Sequence, residues 1–374
     1  MTKFTWRRSN LVFLAASFLL LVGVLPGCVT TGTGSATKAP AEVEPGVPFQ
    51  KLAVPLAHYS WLTWADESRL VLVSPASDMG LENRYEVLND GLLQELALPA
   101  DPICQHALTY RFPTPLPDGR LGLVKTCIIQ WPTQHTSDDL DYLVAYDWQT
   151  ETMEQIVSGP LPDIGANDFS WNPDMSRGVQ AAGSLFQTLY WLAPDGVEPM
   201  AITISRGRRS WSLDENYYSM LNRDSNHDIG IASAPSWSPD GQTIAFFASP
   251  AAVGRSGQSR AMGEYQLYLM DPNEMEPRPA LAGVYYAHRL HWSPDNQWLL
   301  FTGEAGPRRI KGIWLFSPAQ NDLELIAEGS FRDIAWSPDG LKVTAIHCRQ
   351  EDWPECKQQE ILQFDVSEVI KEAE

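Results

Sequence analysis

The sequence predicts an all-β chain, a six-bladed β-propeller of four-stranded antiparallel blades behind an N-terminal signal and a flexible tether. Three observations predict it. One phrase recurs as Trp237-Ser238-Pro239-Asp240-Gly241, Trp292-Ser293-Pro294-Asp295-Asn296 and Trp336-Ser337-Pro338-Asp339-Gly340. Its Asp returns at blade-sized intervals, and each copy leads into runs with the composition and period-2 alternation of strands.

The phrase has a local meaning. Pro fixes φ inside a tight turn, Asp bonds its own backbone, and Gly or Asn tolerates positive φ at the exit. Weaker copies extend the register toward the N-terminus: Trp171-Asn172-Pro173-Asp174 is nearly complete, Leu116-Pro117-Asp118-Gly119 lacks the Trp, and Trp64-Ala65-Asp66-Glu67 lacks the Pro. Successive marks at Asp66, Asp118, Asp174, Asp240, Asp295 and Asp339 stand 52, 56, 66, 55 and 44 residues apart. Those periods suit four-stranded propeller repeats of roughly 40 to 50 residues.

Within a period the strands can be read. After Asp240 come Thr243 to Phe247, a polar loop and the alternating run Tyr265 to Met270. The same order follows Asp295, with Trp298 to Phe301 and Gly312 to Phe316, and Asp118, with Leu121 to Val124 and Tyr142 to Asp147. Units with apolar faces bury them against neighbouring units, which closes a ring. The tryptophans are read as blade-core anchors.

From about residue 55 to 366 the chain resembles the TolB-type six-bladed propeller, whose repeat is a Trp-Ser-Pro-Asp-Gly turn followed by an Ile-Ala-Phe-like strand. Trp237 to Phe246 matches that pattern almost letter for letter. TolB also has a separate N-terminal α/β domain, whereas a short tail precedes residue 51 here.

That tail divides in two. Lys3, Arg7 and Arg8 form a basic start, and Leu11 to Val24 is an apolar run of 14 residues, too short to span a bilayer and suited to export. It ends at Leu25-Pro26-Gly27-Cys28, which resembles the lipobox of bacterial lipoproteins and implies lipidation of Cys28. The expected domains are therefore a signal peptide over 1–27, a Thr-, Gly- and Pro-rich tether over 28–50 and the propeller over 51–374. The implied location is the outer side of a bacterial membrane, periplasmic or at the cell surface.

With Cys28 removed, four cysteines remain, read as two local disulfides, Cys104 with Cys127 and Cys348 with Cys356. Neither pair has the spacing of a zinc site, and no metal or cofactor is expected. The net charge of −19, or −22 without Lys3, Arg7 and Arg8, disfavours nucleic acid as a partner.

Pro-Asp-Gly turns joining first and second strands all open on one face, which leaves the variable loops on the other. Those are Ser74 to Arg84, Gln130 to Asp141, Ser249 to Glu264, Thr302 to Lys311, Cys348 to Gln359 and the connection Ser205 to Ser233. Function usually sits on such loops. The candidate binding residues are Trp131, His135, Arg206, Arg208, Arg209, Arg223, His227, Arg255, Arg260, Arg308, Arg309 and Trp353, with the cluster Arg206-Gly207-Arg208-Arg209 suited to an anionic group.

Motifs for catalysis are thin. No Gly-x-Ser-x-Gly occurs, and Gly254-Arg255-Ser256-Gly257-Gln258 has its second Gly one place early. His288 and His291, three apart on a strand, are expected on opposite faces. The acid pairs Asp138-Asp139 and Glu351-Asp352 fit a glycosidase or lyase only if other loops contribute. The favoured reading is a noncatalytic binding or scaffold lipoprotein recognising a protein or peptide. The alternative is a carbohydrate-active enzyme or sugar-binding protein using loop carboxylates and aromatics, with a glycan or small molecule as ligand.

Overall fold

Each Asp-centred turn joins two antiparallel strands that are consecutive in the chain, so all these turns lie on one side of a propeller arrangement. The structure, a computed structural model, describes residues 44–55, 58–76, 82–99, 107–133, 136–161, 168–182, 188–200, 202–206, 209–213, 228–253, 259–261, 264–349, 351–352, 355–356 and 358–372. The first sheet is Trp61–Trp64, Arg69–Pro75, Asn83–Asn89 and Leu92–Glu95. The second is Ala107–Pro115, Leu121–Thr133, Thr136–Asp147 and Thr152–Gln155, and the third is Phe169–Trp171, Gly178–Ala182, Thr188–Ala193 and Gly196–Pro199. A C-terminal sheet combines Phe331–Trp336, Lys342–Cys348 and Gln359–Asp365 with Phe49–Lys51 at its outer edge.

These are four discrete four-stranded sheets where six were expected. Strands between Ile202 and Glu328, joined by Glu44–Pro45, form one continuous eleven-stranded sheet. The cause is the 16-residue strand Pro277–Trp292. Its first part pairs with Glu264–Met270 and its second with Leu299–Ala305, so no connection separates an outer strand from the next inner one.

The turns are built alike. Ser238, Ser293 and Ser337 each donate a hydroxyl to the Asp two residues on, at 2.6, 2.5 and 2.5 Å. The same carboxylates accept the N–H groups of Gln242, Gln297 and Leu341. These bonds outweigh the burial penalty and hold the Asp240 and Asp339 carboxyls below their ordinary pKa. The exit residue has positive φ in each: Gly241 at 71°, Asn296 at 66° and Gly340 at 72°. A Cβ at Gly241 would come within 2.9 Å of the Pro173 ring, so the turn docks on its predecessor as well as bending.

Side chains of successive sheets interlock. Leu121, Leu123 and Val144 pack with Val71, Val73 and Val87. Trp191 and Met200 pack with Trp237 and Phe246. The first sheet meets the last through Leu62, Leu70 and Leu72 against Ala335, Ile346 and Ile361, which closes the ring. Indoles tie neighbours: Trp292 Nε1 donates to Ser236 O at 3.2 Å, Trp336 Nε1 to His291 O at 3.3 Å and Trp64 Nε1 to Thr344 Oγ1 at 3.0 Å. Trp171, Trp237 and Trp336 are buried, whereas Trp64 and Trp292 are partly buried.

Several segments read as loops are strands. Leu121–Thr133 and Thr136–Asp147 extend as a long hairpin through most of Gln130 to Asp141, with backbone pairing carried on from Gln130 with Asp138 to Thr133 with Thr136. Ser249–Val253 continues its strand and pairs with Ser259–Ala261. Thr302 to Lys311 shrinks to a turn between Leu299–Ala305 and Ile310–Ser317. The end of the segment read as tether is also paired, Glu44–Pro45 on Asp322–Glu328 and Phe49–Lys51 on Gln359–Asp365.

Cys348 is disulfide-bonded to Cys356. Cys127 is also disulfide-bonded, and its expected partner Cys104 lies outside the described residues, as do Cys28 and the apolar run before it. Among the described residues no helix is long and apolar enough to cross a membrane.

Candidate functional site

Counting back six residues from each register Asp reaches Ser60, Phe112, Asp168, Ala234, Arg289 and Asp333, on the inner strands or, for Ser60 and Asp168, directly before them. Each of them lines one or both of two adjoining cavities in the channel. The larger, about 300 Å³, lies where the inner strands begin, away from the Asp turns. The smaller, about 150 Å³, lies toward those turns. Trp61, Phe112, Asp168 and Arg289 border both and form a waist between them.

Local backbone irregularity points these side chains inward. Ladder register shifts occur between Arg111 and Thr114, between Ser233 and Ser236, between His288 and Leu290 and between Phe331 and Asp333. Phe112, Ala234 and Arg289 sit at the first three with φ of 53°, 49° and 52°. A bulge places an extra residue on one strand and re-aims its side chain, a device common beside functional sites.

Arg289 joins the waist. Its guanidinium bonds Asp168 through Nη1 and Asp333 through Nε, the latter at 2.6 Å. Asp333 is 3% exposed and also accepts the Leu62 N–H at 2.7 Å. Burial pushes the Asp333 carboxyl above its ordinary pKa, and Arg289 pulls against that shift. The guanidiniums of Arg111 and Arg289 each stand 5.7 Å from the Phe112 ring centroid, and the ring meets Trp61 edge-on at 5.2 Å. Arg111 is itself fixed by Asp141 and Thr126.

Arg332 lines the larger cavity from the bulge of the last inner strand. Burial lowers its pKa, opposed by Asp333 and reinforced by Arg289. His288 lines the larger cavity and His291 the smaller, one on each side of Arg289. The alternation expected of a regular strand therefore fails at this bulge. His291 is pushed down to about 3 by burial and by the Arg289 charge, and so is neutral at pH 7.

The loop candidates are dispersed. Arg308 and Arg309 are exposed at the turn after Leu299–Ala305, with Arg309 stacked 3.5 Å over Tyr285 and paired with Glu304 at 3.2 Å. Arg206 and Arg209 face each other across a hairpin, and Trp131 and Arg260 lie in strands. His135, Arg208, Arg223, His227, Arg255 and Trp353 lie outside the described residues. Sequence reasoning missed the channel set, although a fixed offset from the repeat mark would have found it.

Strand order, closure and an axial cavity define a β-propeller protein. No protein-family model and no curated protein matches the sequence. Among solved structures it is similar to TolB from Acinetobacter baumannii, at 14% identity over 80% of this chain and 63% of that one, with a TM-score of 0.49. It is also similar to an oligogalacturonate lyase in complex with manganese, at 12% identity over 89% and 96% with a TM-score of 0.49. For an oligogalacturonate lyase from Vibrio parahaemolyticus the values are 12%, 88%, 100% and 0.46. At these values no ligand or activity passes from those proteins to this chain.

Proposed function

We propose that the protein is a noncatalytic binding module that recognises a protein or peptide at the channel mouth on the long-loop face. The observation that carries this reading is the chamber of about 300 Å³ at that mouth. Among the described residues, the carboxylates that line the channel cavities, Asp168 and Asp333, both bond Arg289, which engages them in structure rather than proton transfer. We read the eleven-stranded sheet as two blades sharing Pro277–Trp292, which with the four discrete sheets makes a ring of six. Six Asp turns and six core clusters support that count. The Cys348–Cys356 disulfide fits an oxidising compartment, and lipidation at Cys28 would keep the module at a membrane surface.

A photo-crosslinking residue at Arg309 on the loop side and another at Leu92 on an outer strand test the reading in the native envelope. A discrete protein adduct from position 309 and none from 92 is expected. Equal labelling from both positions would sink it.

A further inference from the structure

The waist and the chamber above it differ in one respect: the waist arginine is bonded to carboxylates, and the chamber arginine is not. Arg289 bonds both Asp168 and Asp333. Arg332, on the chamber wall, makes no ion pair or hydrogen bond among the described residues. The register shift between Phe331 and Asp333 makes Arg332 the bulged residue, so the fold directs an exposed cation there, with Asp333 acting on its charge but bonded to Arg289 instead. Trp61, Phe112, Ala181, Ala234 and Ala287 supply apolar wall.

We propose that this chamber binds a small, singly charged organic carboxylate, its acid group on Arg332 and its planar or apolar body against Trp61 and Phe112. A guanidinium recognises a carboxylate through paired N–H donors. Two arginines and two aspartates sum to zero at the site, so one negative charge is accepted through Arg332 while a second would face Asp168 and Asp333. A volume of about 300 Å³ holds a single small ligand and not a folded partner. The same chemistry occurs in a free acid and in the C-terminal carboxylate of a peptide. The chamber is the one at whose mouth we place the protein or peptide, so the inference deepens that reading by naming the chemistry the chamber takes.

Calorimetry and tryptophan fluorescence with the full chain test this, using phenylacetate, its uncharged analogue 2-phenylacetamide, and N-acetylphenylalanine as a C-terminal mimic. Phenylacetate binds one to one and the amide at least about tenfold more weakly. Arg332→Gln lowers phenylacetate affinity by about tenfold or more without lowering Tm, because the wild-type side chain has no internal partner, and Arg332→Lys retains part of the preference for acid over amide. Tighter binding of N-acetylphenylalanine than of phenylacetate assigns the site to peptide termini, and weaker binding assigns it to free acids. Equal binding of acid and amide, acid binding unchanged in Arg332→Gln, or no binding of any probe at millimolar concentration overturns the proposal. Because it uses isolated protein and small probes, its failure would leave the crosslinking result at Arg309 standing.

Discussion

Two positions of one repeat behave in opposite ways. At the turn, Asp240, Asp295 and Asp339 accept the same serine hydroxyl and the same backbone N–H. Six residues earlier, on or directly before the same inner strands, the chain carries Ser60, Phe112, Asp168, Ala234, Arg289 and Asp333. Turns can be identical because each solves its own backbone problem near solvent. Residues at the channel face one another, so six copies of one charge would repel across a small, poorly solvated space. Repetition builds the frame, and departure from repetition builds the interior of the channel.

The largest effect should come from unbalancing the waist. Arg289→Met leaves Asp168 and buried Asp333 without their shared cation, and a loss of about 3–5 kcal/mol in urea unfolding is expected. Adding Asp333→Leu should recover much of it. A single variant as stable as the parent would show that the bridge contributes nothing to the fold.

The frame has its own weak point. Trp237 is 6% exposed and lies 6.2 Å from Trp191 between centroids, so Trp237→Ala should cost about 3–5 kcal/mol. Trp292 is only partly buried, and Trp292→Ala should cost less. Unchanged melting of both would remove tryptophan packing as the reason for the repeat.

Acid should separate the two regions. His291 is depressed to about 3 by burial and Arg289, and His347 is also lowered by burial, with Glu360 opposing. An unfolded histidine titrates near 6.5, so below that pH the unfolded chain takes up protons that the folded one refuses. Stability contributed by these neutral rings is present above pH 6.5 and is lost as pH falls toward 3, with a slope approaching about 1.4 kcal/mol per unit for His291. Asp333, raised by burial, contributes with the opposite sign. His291→Gln should flatten the profile between pH 6.5 and 4, and an unaltered slope would exclude His291 as its source.

The smallest effect belongs to one turn. Asp240→Ala removes acceptors for Ser238, Gln242 and Asn296, and about 1 kcal/mol should be lost in thermal unfolding, since water replaces much of each exposed bond. A cost equal to that of Arg289→Met would erase the distinction between frame and channel.

This distinction also governs what the sequence revealed. The Ser-Pro-Asp-Gly turns act over five residues, so their chemistry could be read where it stands. The long hairpin through Gln130 to Asp141 was missed because polar residues on an extended hairpin resemble a loop in composition. The shared strand Pro277–Trp292 was hidden because no turn residue marks the change of pairing partner. Arg289 meeting Asp168 and Asp333 depends on closure of the ring across more than a hundred residues, and on bulges that reverse local alternation. A motif search on loops looked past all three.

The outer strand Phe49–Lys51 has a consequence for the order of events during synthesis. Gln50 Nε2 bonds Gln363 Oε1 across 313 positions of sequence. The segment that completes the last sheet therefore leaves the ribosome before its mate and waits while the 313 positions between Gln50 and Gln363 are made. During that wait the edge of Gln359–Asp365 does not yet exist, and the first and last sheets cannot meet. Circularisation is thus a late, long-range step that local strand pairing cannot accelerate. A chain shortened from its C-terminus into that segment would leave its early strand unpaired, an open edge for association with other copies.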